Sequence, residues 1–160
     1  MFVFVYGTLK FGEPNHHWLT DPAHGFAKFV GEGTTKQLYP LVIASKYNIP
    51  FLLDSPRTGK HIRGEVYEID DKMLANLDIL EEYPKLYTRR EEEIDLHCDN
   101  EGTSRVVQAV AYFLSNFQPT LLERPHLDCY QSEGTHNLPY IARYIRDKEY
   151  DHRTEVKVYA

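Results

Sequence analysis

The 160-residue chain is short of the features that would set it apart from ordinary globular proteins. Its two cysteines, Cys98 and Cys129, are too few for a disulfide scaffold and read as reduced thiols of a cytoplasmic protein. No stretch approaches the roughly twenty apolar residues that a membrane-spanning helix requires. The apolar run at the N-terminus starts at Phe2 and lasts five residues, with no basic segment before it, so no secretory leader is expected. Positive charge is in deficit: 18 Lys and Arg face 24 Asp and Glu, for a net charge of −6. That balance excludes an electrostatic footprint for nucleic acid. Neither GxxxxGK followed by Ser or Thr nor GxGxxG occurs, which excludes those phosphate-binding loops. HExxH and paired CxxC spacings are missing too. The histidines, His16, His17 and His24 among them, therefore read as surface or loop residues, and neither a metal nor an organic cofactor is expected. Repeats, linkers and low-complexity tracts are absent, and the length suits one domain.

What the chain has in plenty is aromatic surface, twenty-one residues of which twelve are Tyr. Tyr buries a ring and keeps a hydroxyl for a partner, which suits a core that lines a polar pocket. Strand-like runs dominate. Phe2–Tyr6 is continuously apolar, as a strand buried on both faces should be. Others are expected near 26–38, 39–43 and 49–53, then at His61–Ile69, Leu86–Leu96 and Val106–Leu114. The charged Leu86–Leu96 reads as an edge or solvent-facing strand. Six or seven short strands with one clear helix predict a small, strongly curved sheet or barrel.

The helix is DDKMLANLDILEEYP, residues 70–84. Asp70 or Asp71 supplies the N-cap, and Pro84 disfavours helical geometry at Tyr83, which sets the stop. At about 100° per residue, Met73, Leu74, Leu77 and Leu80 form one apolar arc. Glu81 falls inside that arc and Glu82 on the solvent side. Two readings of Glu81 stand: the last turn frays and delivers it to water, or it is a desolvated carboxyl with a raised pKa, as a general acid/base near neutrality requires.

The first strand runs straight into Tyr6-Gly7-Thr8-Leu9. A glycine there lets backbone approach a ligand or take positive φ, and successive amides of such a turn can hold an anion without a basic side chain. The alternative is a tight connection in which Gly7 serves geometry alone. Elsewhere, Cys129 with His126 or His136 lacks any thiol-enzyme signature. Arg89–Glu93 reads as a solvated strand face. Tyr39, Phe51 and Tyr67 read as core. Asp128, Tyr130 and Ser132 either line a pocket or pack a loop.

The segments VFVYGTLKFGEPNH, YPLVI, NIPFLLD, GEVYEID, LDILEEYPKLY and YQSEG follow one another from about residue 2 to 140. On them the chain resembles the gamma-glutamylamine cyclotransferases, relatives of the gamma-glutamylcyclotransferases. The resemblance implies an α+β fold, a small mixed β-barrel of about six strands with flanking helices. It implies a cytoplasmic, cofactor-independent enzyme that closes γ-glutamyl-ε-lysine and similar γ-glutamylamines to 5-oxoproline and a free amine, in the breakdown of transglutaminase crosslinks. It implies Glu81 as the acid/base and Tyr6, Gly7, Thr8 and Leu9 as the substrate-binding turn, with a small-molecule substrate and no obligatory protein partner. Two rivals remain: the same chemistry on γ-glutamyl-amino acids or glutathione, and a binding or regulatory module without turnover. After Asn137 the chain departs from the family pattern. The expected division is one domain over 1–146 and a polar C-terminal extension over 147–160 that need not be tightly held.

Overall fold

The apolar N-terminal run is buried on both sides because it separates two cores. In the computed structural model, which describes residues 1–97 and 104–158, it forms β1 (Phe2–Val5). Val3 and Val5 join one hydrophobic cluster and Phe4 and Tyr6 the other. Alternation sends successive side chains to opposite faces, so neither face of this strand can be polar. Cys98 lies outside the described residues.

Six further strands follow: β2 (Ala27–Tyr39), β3 (Leu41–Ala44), β4 (Ile49–Leu52), β5 (Lys60–Ile69), β6 (Thr88–His97) and β7 (Ser104–Phe113). Five of the seven close a barrel in the order β1-β5-β2-β6-β7. Its seam is the parallel contact of Val3 with Val110, and the other neighbours are antiparallel. β3 and β4 form a sheet of their own. Pro40, between β2 and β3, has no N–H to continue the ladder, so the chain leaves the barrel there. The charged strand is not an edge: β6 pairs with β7 along its length and with β2 at Gly33–Thr35, with Ile94 and Leu96 turned into the core. The barrel is too narrow for side chains at one crossing. Gly33 and Gly64 sit opposite each other, and a Cβ on Gly64 would lie 2.4 Å from the Val5 carbonyl oxygen.

Two helices flank the barrel, α1 (His17–Thr20) and α2 (Asp71–Leu80). Asp70 caps α2 by accepting the Met73 N–H at 2.9 Å and the Phe26 N–H at 3.0 Å. Met73, Leu77 and Leu80 are buried against the outer face of β1 and β7, as the apolar arc predicts, with Leu74 at its margin. The helix ends at Leu80, earlier than Pro84 alone would stop it. Glu82 takes a left-handed conformation (φ 53°), and the N–H groups of Glu82 and Tyr83 return to the carbonyls of Ile79 and Asp78 at 3.2 and 2.9 Å. This is the Schellman closure, with glutamate where glycine is usual. A non-glycine residue costs about 1–2 kcal/mol there, less than three buried apolar side chains contribute at about 1.5–3 kcal/mol each. None of the described helices is long and apolar enough to cross a membrane.

The C-terminal part carries little regular structure but is tied back to earlier segments. Ile141 N–H bonds Tyr47 O at 2.9 Å, and Gln118 N–H bonds Val156 O at 2.7 Å. Within the 147–160 extension, Val156 is 0% exposed and belongs to the cluster that includes α2. Arg153 pairs with Glu82, its Nε donating to the carboxylate at 2.8 Å.

The barrel crossing gives a direct check. Gly64→Ala should cost about 3 kcal/mol, at the upper end of overpacking effects, because backbone rather than a pliant side chain meets the new methyl. Urea unfolding of the variant beside the native chain measures it.

Candidate active site

The exit of β1 and the end of α2 meet in one pocket, so the two features singled out in the sequence share a cavity. Tyr6, Gly7, Thr8 and Leu9 line it from one side, and Leu80 and Glu81 from the other. Packing explains the meeting: Val5 and Leu80 belong to one cluster, so a strand and a helix fastened side by side run out at the same level. Two polar braces fix the relation. Tyr112 O–H donates to Asp78 at 2.6 Å while Arg89 grips the same carboxylate at 2.8 and 3.2 Å, and Tyr6 O–H donates to the Tyr112 carbonyl at 2.7 Å. The Arg89–Glu93 run is therefore not uniformly solvated. Arg90 likewise binds Asp54 at 2.9 and 3.0 Å and Glu92 at 2.7 Å.

Glu81 is the helix C-cap, and its N–H bonds the Leu77 carbonyl at 2.8 Å. As a lining residue it keeps intermediate exposure. Burial nonetheless pushes its carboxyl from 4.5 up to about 7, against the pull of the Arg143 guanidinium and with a smaller push from Glu82. No protein donor among the described residues hydrogen-bonds the carboxyl. The fraying alternative does not hold, because the Schellman turn fixes the end of the helix. The neighbouring phenols respond to Glu81 in turn: burial and then its charge raise both Tyr6 and Tyr87. The adjacent glutamates differ by their backbones. The left-handed turn at Glu82 aims its side chain at Arg153, as Glu81 looks into the pocket.

The N–H groups of Gly7, Thr8 and Leu9 donate to no acceptor among the described residues. Gly7 does not take positive φ. Its reason is proximity, since a Cβ would stand 3.1 Å from Pro50 Cγ. The turn is stiffened from outside: Asn15 Nδ2 donates to Thr8 Oγ1 at 2.9 Å and to Tyr140 O–H at 3.2 Å, and His16 Nδ1 lies 2.9 Å from the Leu9 carbonyl. Three amides without a protein acceptor and a carboxyl pushed up to about 7 belong to residues that line one pocket, a combination that can bind an anion and move a proton beside it.

Several lining residues escaped the sequence reading: Asn15, Tyr87, Tyr112, Tyr140, Arg143, Arg146 and His152. Asn15 lies seven residues after Thr8 in the same turn-rich segment, a spacing that only the fold interprets. Arg143 donates to the Leu80 carbonyl at 3.0 Å, where a cation suits the negative helix end. His152 is buried and held neutral, its pKa lowered to about 4 by burial and by Arg153 and Arg146. Ser132 packs a loop: its N–H bonds Glu13 at 2.7 Å and its Oγ accepts the Tyr140 N–H at 3.1 Å. Tyr130 fills the barrel core, and Asp128 faces Arg63. Cys129 approaches Lys10 Nζ at 3.5 Å, while His126 and His136 bond the carbonyls of Leu122 and Gln131.

Comparison with known proteins agrees with this architecture. Residues 3–134 match the family described as Gamma-glutamyl cyclotransferase, AIG2-like. The chain is 45% identical to the Gamma-glutamylaminecyclotransferase of Homo sapiens, over 88% of this chain and 96% of that one. It is 43% identical to Gamma-glutamylaminecyclotransferase C of Danio rerio, over 88% and 93%. The crystal structure of an AIG2-like protein from Mus musculus superposes with a TM-score of 0.84 at 42% identity, covering 91% of this chain and 97% of that one.

The raised carboxyl fixes the sign of a stability measurement. Between its ordinary 4.5 and about 7 the folded chain holds a proton that the unfolded chain has released. That stabilisation is complete below the lower value and is lost as pH rises through the upper one. Glu81→Gln cannot ionise and keeps it. Urea unfolding should find the variant level with the native chain near pH 4 and about 2–3 kcal/mol more stable near pH 8.

Proposed function

Because the chain belongs to the gamma-glutamyl cyclotransferase, AIG2-like family, we propose that it is a gamma-glutamylamine cyclotransferase in which Glu81 is the acid/base and the turn Tyr6–Leu9 holds the substrate. The observation that carries the proposal is the joint lining of one pocket by a carboxyl titrating near 7 and by three unclaimed amides.

The reaction is an intramolecular aminolysis. The α-nitrogen of a γ-glutamyl group attacks its own side-chain amide carbon, a five-membered lactam closes, and the bond to the departing amine breaks. Nucleophile and electrophile already share a molecule, so the protein supplies orientation, for which effective molarities reach about 10⁵–10⁸ M. The amides of Gly7, Thr8 and Leu9 grip the α-carboxylate and fold the extended glutamyl chain until its nitrogen faces the γ-carbon. Glu81 takes one ammonium proton and returns it to the leaving nitrogen. The second proton shed by the attacking nitrogen also ends on that amine, so 5-oxoproline and an alkylammonium form with no net proton consumed or released. Such proton transfer is worth about 10²–10⁴ in rate. A pKa near 7 suits both duties. A carboxylate at its ordinary value would be a weak base for an ammonium, and a fully protonated one could not begin. No cofactor or obligatory protein partner enters this scheme. A γ-glutamyl-ε-lysine released from crosslinked protein is the substrate we assign, and the cytoplasm is the compartment.

Glu81→Gln should bind 5-oxoproline as the native protein does and lose at least about a hundredfold in turnover. Glu82→Gln, which removes the Arg153 partner and a small push on the Glu81 carboxyl, should lose less than about tenfold. The native kcat/KM should climb as pH rises towards about 7 and level off above it. The assay offers γ-glutamyl-ε-lysine, γ-glutamyl-alanine and glutathione and counts 5-oxoproline. Equal losses in the two variants would remove Glu81 from the mechanism. Product from glutathione alone would move the enzyme to the gamma-glutamylcyclotransferase reaction, and binding of 5-oxoproline without release of amine from any substrate would make it a binding module.

A further inference from the structure

The pocket contains a cation that the mechanism above does not use. Arg146 Nε donates to the Ile141 carbonyl at 2.9 Å, which fixes the guanidinium plane. The plane stands 4.8 Å from the Tyr47 ring centre and 5.1 Å from that of Tyr140. Its Nη2 is buried and meets no acceptor at hydrogen-bond geometry, although the Tyr140 hydroxyl is near enough to favour its charge. Burial and the like charge of Arg143 both depress the guanidinium, and among the described residues no carboxylate forms an ion pair with it. The acidic side chains nearby are otherwise engaged. Glu82 is neutralised by Arg153, and Glu81 feels Arg143. A desolvated guanidinium donor without an acceptor is costly, and such cost is offset when a ligand supplies the anion.

A γ-glutamylamine has one anion on its glutamyl half, which the amides of Gly7, Thr8 and Leu9 take. Any second anion belongs to the leaving half. Arg143 acts on both Glu81 and Arg146, and both arginines line the pocket. We propose that Arg146, assisted by Arg143, receives a carboxylate carried by the leaving amine, so that the enzyme selects γ-glutamyl derivatives of amines bearing a remote carboxylate over those of plain amines. This rests on the cyclotransferase reading of the pocket and deepens it. It also assigns a task to the C-terminal segment beyond the family match: this segment supplies the half of the site that reads the departing group.

γ-Glutamyl-ε-lysine and γ-glutamylcadaverine differ only by that carboxylate, which makes them the probes. With the native protein, kcat/KM for the lysine compound should exceed that for the cadaverine compound by about ten- to a hundredfold, mostly through KM. Arg146→Gln should lose most of that ratio by weakening the lysine compound. Arg146→Lys, which keeps a charge without the fixed fork, should recover part of it. Calorimetric binding of both compounds to Glu81→Gln reads the same preference where turnover is at least about a hundredfold slower, so failure of the reaction and failure of the selectivity are separable. Equal affinity for the two compounds, or a loss in Arg146→Gln that falls equally on both, overturns the proposal. If Arg146→Gln does not fold, the native ratio and Arg146→Lys decide the matter.

Discussion

Keeping the Glu81 carboxyl out of water while leaving it without a strong protein partner is the constraint around which this molecule is arranged. An aqueous carboxylate would sit near 4.5, and one locked in an ion pair lower still. Here burial wins over the opposing pull of Arg143 and leaves the group near 7. Both adjustments require a helix that ends at a defined residue. The end is defined three times: by the Schellman hydrogen bonds, by Asp78 clamped between Tyr112 and Arg89, and by Arg143 on the Leu80 carbonyl. The strained glutamate at 82 belongs to the same arrangement. Its left-handed backbone separates two consecutive carboxylates that both line the pocket, pairing Glu82 with Arg153 and leaving Glu81 without a salt bridge.

The parts of this arrangement legible in the sequence are those encoded by local periodicity. The continuous apolar run at Phe2–Tyr6 announced a strand with no polar face, and it divides two cores. The helical wheel put Glu81 on the apolar arc, and that geometry survives although the helix stops sooner than its proline implies. The charged β6 faces solvent over much of its length, as its composition predicts, but it is not an edge, because alternation describes side-chain faces and says nothing of edges. Barrel closure supplies neighbours on both sides of a strand whatever its charge.

Arg143, Arg146 and His152 were not legible for a different reason. They sit in a stretch of bends and short 3₁₀ turns, without a period of two or of 3.6, where position is decided by contacts made far away in the chain. Tyr140 meets Asn15, Ile141 meets Tyr47, and Arg153 meets Glu82. No composition rule separates such a segment from a loose tail. What the family resemblance conveyed was the half of the pocket formed by Tyr6–Leu9 and Glu81. The other half comes from the segment after residue 134.

The seam of the barrel sets a condition on when this site can exist. β1, whose exit carries the amide turn, finds its parallel partner only in β7, at Val3 and Val110. Contacts so distant along the chain raise contact order and come late, because loop closure must precede their reward. A nascent chain still on the ribosome can form α2 and the β2–β5 ladder well before the seam closes. Because Tyr112 of β7 lines the pocket beside the β1 turn, the cavity and the completed topology arrive together. Partially made copies should be inert towards γ-glutamyl compounds, with no weakly active forerunner.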